Sequence, residues 1–108
     1  MHISIIGVGA MGGAMLEGFL RSDSFSASDI SISNPHTDRL APYAEQGVQV
    51  YADNRKAAAW GDVVFLVVKP WLVESVMEEI SDVLDAERQT VVVVVTLSIS
   101  ASGLTPLC

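Results

Sequence analysis

The first dozen residues constrain this chain more than any other stretch. Ile3-Ser4-Ile5-Ile6 is a short, mostly β-branched run that stops at Gly7 and leads without a gap into Gly7-Val8-Gly9-Ala10-Met11-Gly12. From Met11 to about Arg21 the apolar residues Met11, Ala14, Met15 and Phe19 fall at helical spacing, so a Gly-x-Gly-x-x-Gly turn joins a strand to a helix. Each glycine has a physical task in such a turn. Gly7 permits the tight reversal, Gly9 lets backbone approach a pyrophosphate with no Cβ in the way, and Gly12 lets the helix pack close on the strand. The unpaired N–H groups at the helix N-terminus then point at the phosphates. In this position the motif predicts dinucleotide binding, and the competing reading is a structural turn in a fold that has lost its ligand.

The rest of the chain repeats the alternation of strand and helix. Ile30-Ser31-Ile32-Ser33 reads as a second strand closed by the turn Asn34-Pro35. A helix capped by Thr37 or Asp38 carries Leu40, Tyr43 and Ala44 and ends at Gly47, a left-handed C-cap. Pro42 fits there only in a first turn, so that helix begins late. Val48 to Tyr51 is a third strand, Asp53-Asn54 a turn, and Lys56 to Trp60 a short helix. Val63 to Val68 has no alternation, as expected of a central parallel strand covered on both faces. Trp71 to about Leu84 returns to helical period through Val73, Val76, Met77 and Ile80, and Val91 to Val95 is a fifth strand. Strands separated by helices imply right-handed crossovers and a parallel sheet. The expected fold is α/β: one Rossmann-like, doubly wound domain of about five strands over residues 1–95, followed by a tail at 96–108.

Composition narrows the partners. Of 108 residues, half are hydrophobic and 18% charged, enough for a real core. A net charge of −7, with six Lys and Arg spread along the chain, speaks against a nucleic-acid partner, which needs clustered cations to neutralise phosphate. The lone cysteine, Cys108, allows no intrachain disulfide, the start lacks the pattern of a signal peptide, and the Val91–Val95 run is far too short to span a membrane. A cytoplasmic protein with no membrane partner is expected. His2, His36 and Cys108 show no metal-ligand spacing, and no nucleophile–base pair is evident. The second strand ends in Ser33-Asn34 with no carboxylate to accept from a ribose 2′-hydroxyl, and Arg39 follows a turn later. That favours NADP over NAD. The plainer reading of Ser33-Asn34 is an ordinary turn.

With these pieces in order, the chain resembles the amino-terminal domain of pyrroline-5-carboxylate reductase. The resemblance rests on the residues from Ile5 to Met15, on Ser33-Asn34-Pro35, on Asp53-Asn54, and most of all on Gly61 to Pro70, a buried strand closing on Val68-Lys69-Pro70. It extends over roughly residues 2–95. It implies reduction of the C=N bond of 1-pyrroline-5-carboxylate to proline with NADPH or NADH, a step of proline biosynthesis. Residue by residue, it implies that Gly7, Val8, Gly9, Ala10, Met11 and Gly12 cradle the pyrophosphate. Ser33 and Asn34 would then meet the adenosine ribose and its phosphate, with Arg39 a weaker candidate. Asn54 would contact the adenosine half, and Val68, Lys69 and Pro70 would line the cofactor. The plainer readings of Lys69 and Pro70 are a surface lysine and a helix-starting proline.

The family's second, helical half, which supplies the dimer interface and most of the substrate pocket, has no counterpart in 108 residues. From Thr96 the Ser/Thr/Leu-rich tail departs from the small-residue turn expected near the nicotinamide. The sequence therefore predicts a truncated cofactor domain, from an interrupted or frame-shifted gene or from a deliberate domain boundary, that binds nucleotide and turns over little. The alternative is a non-catalytic nucleotide-binding or regulatory module, or an inactive relic. Apolar surface left on the last helix and strand predicts self-association as a homodimer or larger species.

Overall fold

The computed structural model describes residues 1–34 and 37–95, apart from the side chains of residues 10, 37, 39 and 95. Five strands form one sheet: β1 (Ile3–Ile6), β2 (Ile30–Ser33), β3 (Gln49–Tyr51), β4 (Val63–Val68) and β5 (Thr90–Val95). All neighbours are parallel and the order is β3-β2-β1-β4-β5. Chain growth thus runs outward from β1 through β2 and β3, then crosses back to β4 on the other side of β1. That reversal creates a switch point beside the carboxyl end of β1, where sheets of this kind bind ligands. The Rossmann-like α/β architecture expected from the sequence is the one observed.

Four helices connect the strands: α1 (Ala10–Arg21), α2 (Ala41–Glu45), α3 (Asn54–Trp60) and α4 (Val73–Ile80). Because side chains alternate across a strand, β1 feeds two cores. Ile3 and Ile5 join Leu16 of α1 and Leu40, next to α2, on one face. Ile6 joins Ala57 and Ala58 of α3 and Val76 and Ile80 of α4 on the other. All four residues of β1 are buried, as a strand covered on both faces must be.

The α3 face is lined with small residues, which lets that helix lie close to the sheet. Ser31 Oγ donates to Ser4 Oγ at 2.8 Å, and Ser4 Oγ donates to the Ala57 carbonyl at 2.5 Å, so the buried hydroxyls are satisfied. A Cβ on Gly61 would stand 2.9 Å from Ser4 Cβ. Gln89, buried just before β5, donates through Nε2 to the carbonyls of Ala58 and Gly61 at 2.7 and 2.6 Å. It accepts the Asp85 N–H at 2.8 Å, tying the end of α3 to the loop before β5. At this lower edge His2 stacks on Trp60 at 4.1 Å between ring centroids. The backbone N–H of His2 donates to Asp62, which holds that carboxyl below its ordinary range.

Local details depart from the sequence reading at five points. The segment Thr37–Leu40, expected to cap the second helix through Thr37 or Asp38, forms a 3₁₀ turn, and α2 follows Leu40 with no side-chain cap. Asp53 does not form a free turn with Asn54 but caps α3, accepting the Arg55 N–H at 2.9 Å, so the helix starts at Asn54 rather than Lys56. The segment expected as one helix from Trp71 to Leu84 is a 3₁₀ turn (Pro70–Leu72), α4, and a second 3₁₀ turn (Ser81–Val83). Such tightening at helix ends is common. Trp71, read as the start of that helix, lies in the first of these turns with 74% of its surface exposed. The valine run of β5 lies at the sheet edge, with Val92 and Val93 exposed, so an unbroken apolar run here does not mean burial on both faces. Gly47 (φ +107°) and Pro42 in the first turn of α2 stand where the sequence put them. Among the described residues no helix is long and apolar enough to cross a membrane.

Candidate functional site

The carboxyl edge of the sheet gathers most of the residues singled out in the sequence. β1 ends at Ile6, opposite Ser33 of β2 and Leu66 of β4, so the turns that follow these strands converge on one another. Gly7 has φ +93°, a conformation that side chains rarely adopt. Its N–H donates to the Ser33 carbonyl at 3.1 Å, extending the β1–β2 ladder one step. A Cβ on Gly7 would run into the Val67 carbonyl and come to 3.0 Å from Val68 Cγ1. Gly12, in the first turn of α1, would drive a Cβ into the Gly7 carbonyl. Gly7 lets the turn pass close over the end of β4, and Gly12 lets α1 pack against the end of β1.

Gly9 differs. It is exposed, and a Cβ there would meet nothing within 4 Å. It is the N-cap of α1, contributes no side chain to cap the helix, and is followed by no acidic residue in the first turn. A twelve-residue helix with a bare N-terminus, no local negative charge and open space over its cap suits an anionic group. Arg21 in its last turn suits the opposite pole.

Asn34 binds this turn from the β2 side. Its N–H donates to the Tyr51 carbonyl at 3.2 Å and its side-chain Nδ2 donates to the Val8 carbonyl at 3.2 Å. Ser33 is fully buried, and its hydroxyl donates to Asn54 Oδ1 at 2.7 Å. Asn54 Nδ2 in turn donates to Glu79 Oε1 of α4 at 3.0 Å. At the next position, Arg55 pairs with Asp82 through two contacts, and that hydrogen-bonded carboxylate raises the guanidinium's pKa further.

Val68 is half-buried against the glycine turn, whereas Lys69 and Pro70 are exposed beyond the end of β4. Lys69 Nζ stands 5.7 Å from the Trp71 ring centroid, a cation–π contact at the mouth of the same edge. The structure therefore brings Gly7, Val8, Gly9, Gly12, Ser33, Asn34, Asn54 and Val68 to one place, with Met11, Lys69 and Pro70 at its border. The side chains of Ala10 and Arg39, along with Pro35 and the tail at 96–108, lie outside the described residues. Glu79 and Trp71 were not singled out in the sequence for this site. Glu79 sits in an acidic stretch that signals only a solvated helix face, and nothing local links it to a residue 25 positions away.

Residues 2–98 match the model of the family described as NADP oxidoreductase coenzyme F420-dependent. The chain is 32% identical over 88 residues to pyrroline-5-carboxylate reductase 3 of Danio rerio, covering 82% of this chain and 31% of that protein. A solved pyrroline-5-carboxylate reductase from Coxiella burnetii superposes with a TM-score of 0.77 at 32% identity, over 87% of this chain and 35% of that one. A reductive aminase from Aspergillus terreus, in complex with NADPH and ethyl-5-oxohexanoate, gives a TM-score of 0.61 at 26% identity, over 71% of this chain and 26% of that one. The chain spans about a third of the length of the curated relatives it matches. The resemblance read from Gly7–Gly12 and Val68-Lys69-Pro70 is met by these relatives.

Proposed function

The chain belongs to the NADP oxidoreductase coenzyme F420-dependent family, and from that premise we propose that it is an NADP(H)-binding domain of the pyrroline-5-carboxylate reductase type. The observation that carries the proposal is the open, uncapped N-terminus of α1 at Gly9, framed by two glycines whose lack of a side chain the backbone requires. The fit to a dinucleotide is good. Gly9 to Gly12 would hold the pyrophosphate through backbone N–H groups. Asn34 and Asn54 would face the adenosine half, with Ser33 acting through Asn54, to which its hydroxyl is already committed. Arg39 stays a candidate for the 2′-phosphate. Lys69 and Pro70 would border the nicotinamide end, beside Val68.

The absence of Asp and Glu at the end of β2, where Ser33 and Asn34 stand, supports NADPH over NADH. When bound, the cofactor supplies the reducing equivalent for a C=N bond. This chain's share is to bind and orient it, and the described site holds no acid–base pair for the substrate. We place reduction of 1-pyrroline-5-carboxylate in a protein that also carries the portion present in the longer relatives, and expect little turnover from these 108 residues alone. A cytoplasmic setting and residues 1–95 as the cofactor domain belong to the same reading.

Calorimetric titration with NADPH and, separately, NADH tests this. Binding of both, with NADPH tighter, is expected. A folded sample that binds neither would leave the glycine turn as a structural relic, and tighter NADH would remove the role given to the end of β2. Exposed Trp71, Leu72, Val92 and Val93 further support self-association. Light scattering is expected to show a dimer or larger species; a clean monomer at high concentration would refute that part alone.

A further inference from the structure

We infer that Glu79 is a positioning residue for nucleotide binding: its carboxylate fixes the Asn54 amide in the orientation that presents it to the adenosine half of the cofactor. The inference rests on the cofactor reading above and adds to it a residue on α4, outside the strand-end turns.

The chain of contacts is directional. A carboxylate only accepts, so Glu79 can hold Asn54 only through the amide nitrogen. The buried Ser33 hydroxyl donates to Asn54 Oδ1. With Nδ2 held on one side and Oδ1 on the other, the amide has a single favoured orientation. A 180° flip would set the Asn54 oxygen against a carboxylate, two acceptors facing each other. In the held orientation one Nδ2 hydrogen and one Oδ1 lone pair remain for a ligand. Asn54 is half-buried, at the first position of α3, next to the Asp53 cap that fixes the backbone there. The side chain is thus anchored at the backbone by Asp53, at its oxygen by Ser33 and at its nitrogen by Glu79. Without Glu79 the amide nitrogen loses its protein acceptor, and both flip states become accessible. Part of any ligand's affinity would then be spent on ordering the amide.

The Arg55–Asp82 pair joins α3 to the 3₁₀ turn that follows α4 and provides an internal control. If Glu79 merely fastened the two helices, removing either link would have the same consequence. If it orients Asn54, the two will differ.

The test compares wild type, Glu79→Ala, Glu79→Gln and Asp82→Asn, titrated with adenosine 2′,5′-bisphosphate, nicotinamide mononucleotide and NADPH. Glu79→Ala is expected to weaken the bisphosphate and NADPH by about three- to tenfold, the range of one lost hydrogen bond, and to leave the mononucleotide within about twofold. Glu79→Gln, whose carbonyl can still accept from Asn54, restores most of the loss. Asp82→Asn, which breaks an exposed pair, leaves bisphosphate affinity within about twofold of wild type. Free of any ligand, the side-chain amide protons of Asn54, followed by NMR, exchange faster with solvent in Glu79→Ala than in wild type. Unchanged bisphosphate affinity in Glu79→Ala overturns the inference, as does an equal loss for the mononucleotide or failure of Gln to rescue. If wild type binds none of the three while Asn54 exchange still responds to Glu79, the orienting contact stands and the cofactor reading has failed. If exchange does not respond either, both fall.

Discussion

Replacing Gly9 with aspartate is expected to leave the chain at least as stable as before while reducing NADPH affinity by at least a hundredfold. The two effects separate because Gly9 does nothing for the packing of the fold. It has a negative φ of −97°, and a Cβ there meets no atom within 4 Å. As the N-cap of α1 it leaves that helix without a side-chain acceptor, and aspartate is among the best N-caps, better than glycine by a few tenths of a kcal/mol. The same carboxylate would stand where the proposal puts the pyrophosphate. Two unit charges about 4 Å apart repel by about 4 kcal/mol at the effective dielectric of a protein surface. A hundredfold loss needs only about 2.8 kcal/mol, so the estimate survives considerable screening. Thermal melting and calorimetry on the same sample read both quantities. A variant that melts as wild type does and binds NADPH undiminished would remove the glycine turn from the cofactor site altogether.

That contrast between Gly9 and its neighbours also marks how far the sequence could be read. The turn, the five strands, the Gly47 cap and the late start of α2 at Pro42 were legible because each depends on a few adjacent residues and a local rule. The parallel doubly wound sheet was legible because strand–helix alternation leaves few other arrangements. The contacts that connect distant parts of the chain were not. Ser33 looked like a turn residue open to a ribose, yet its hydroxyl is committed to Asn54, 21 positions on. Ser4 and Ser31 were legible only as members of two short strands, yet both are buried and hydrogen-bonded under α3. Gln89 gave no signal at all, because its meaning lies in two carbonyls at the end of α3. In each case the residue type announced a hydrogen-bonding capacity, and the fold decided the partner. The same reason hid Glu79, while Trp71 was misplaced because Pro70 opens a 3₁₀ turn and carries the indole off the helix face.

Gly12 sits three residues from Gly9, and the opposite outcome is expected there. Gly12→Val should cost about 3 kcal/mol of stability, with cofactor binding lost because the turn can no longer close. Helix propensity alone predicts a small gain, since valine is a few tenths of a kcal/mol better than glycine inside a helix. Packing decides the sign. A Cβ at Gly12 would press on the Gly7 carbonyl, with the Gly7 carbonyl carbon at 3.2 Å and Ile5 Cγ2 at 3.7 Å behind it. None of these can swing aside as the end of a long side chain could. Gly7 is itself pinned by its positive φ and by the hydrogen bond from its N–H to Ser33, and the Val67 carbonyl fills the space that a Cβ on it would need. Relief would require lifting α1 off β1, which uncovers Leu16 and Ile5 in the first core. In a domain of this size a loss of about 3 kcal/mol lowers the thermal midpoint by more than about 10 °C. Gly13→Ala, one residue further along the same helix, is the control. A Cβ there meets nothing within 4 Å, so propensity acts unopposed and a gain of about 0.5–1 kcal/mol is expected. If Gly12→Val melts within a degree or two of wild type, helix and strand do not meet as closely as the carbonyl of Gly7 requires. The framing of the cofactor turn would then have to be redrawn.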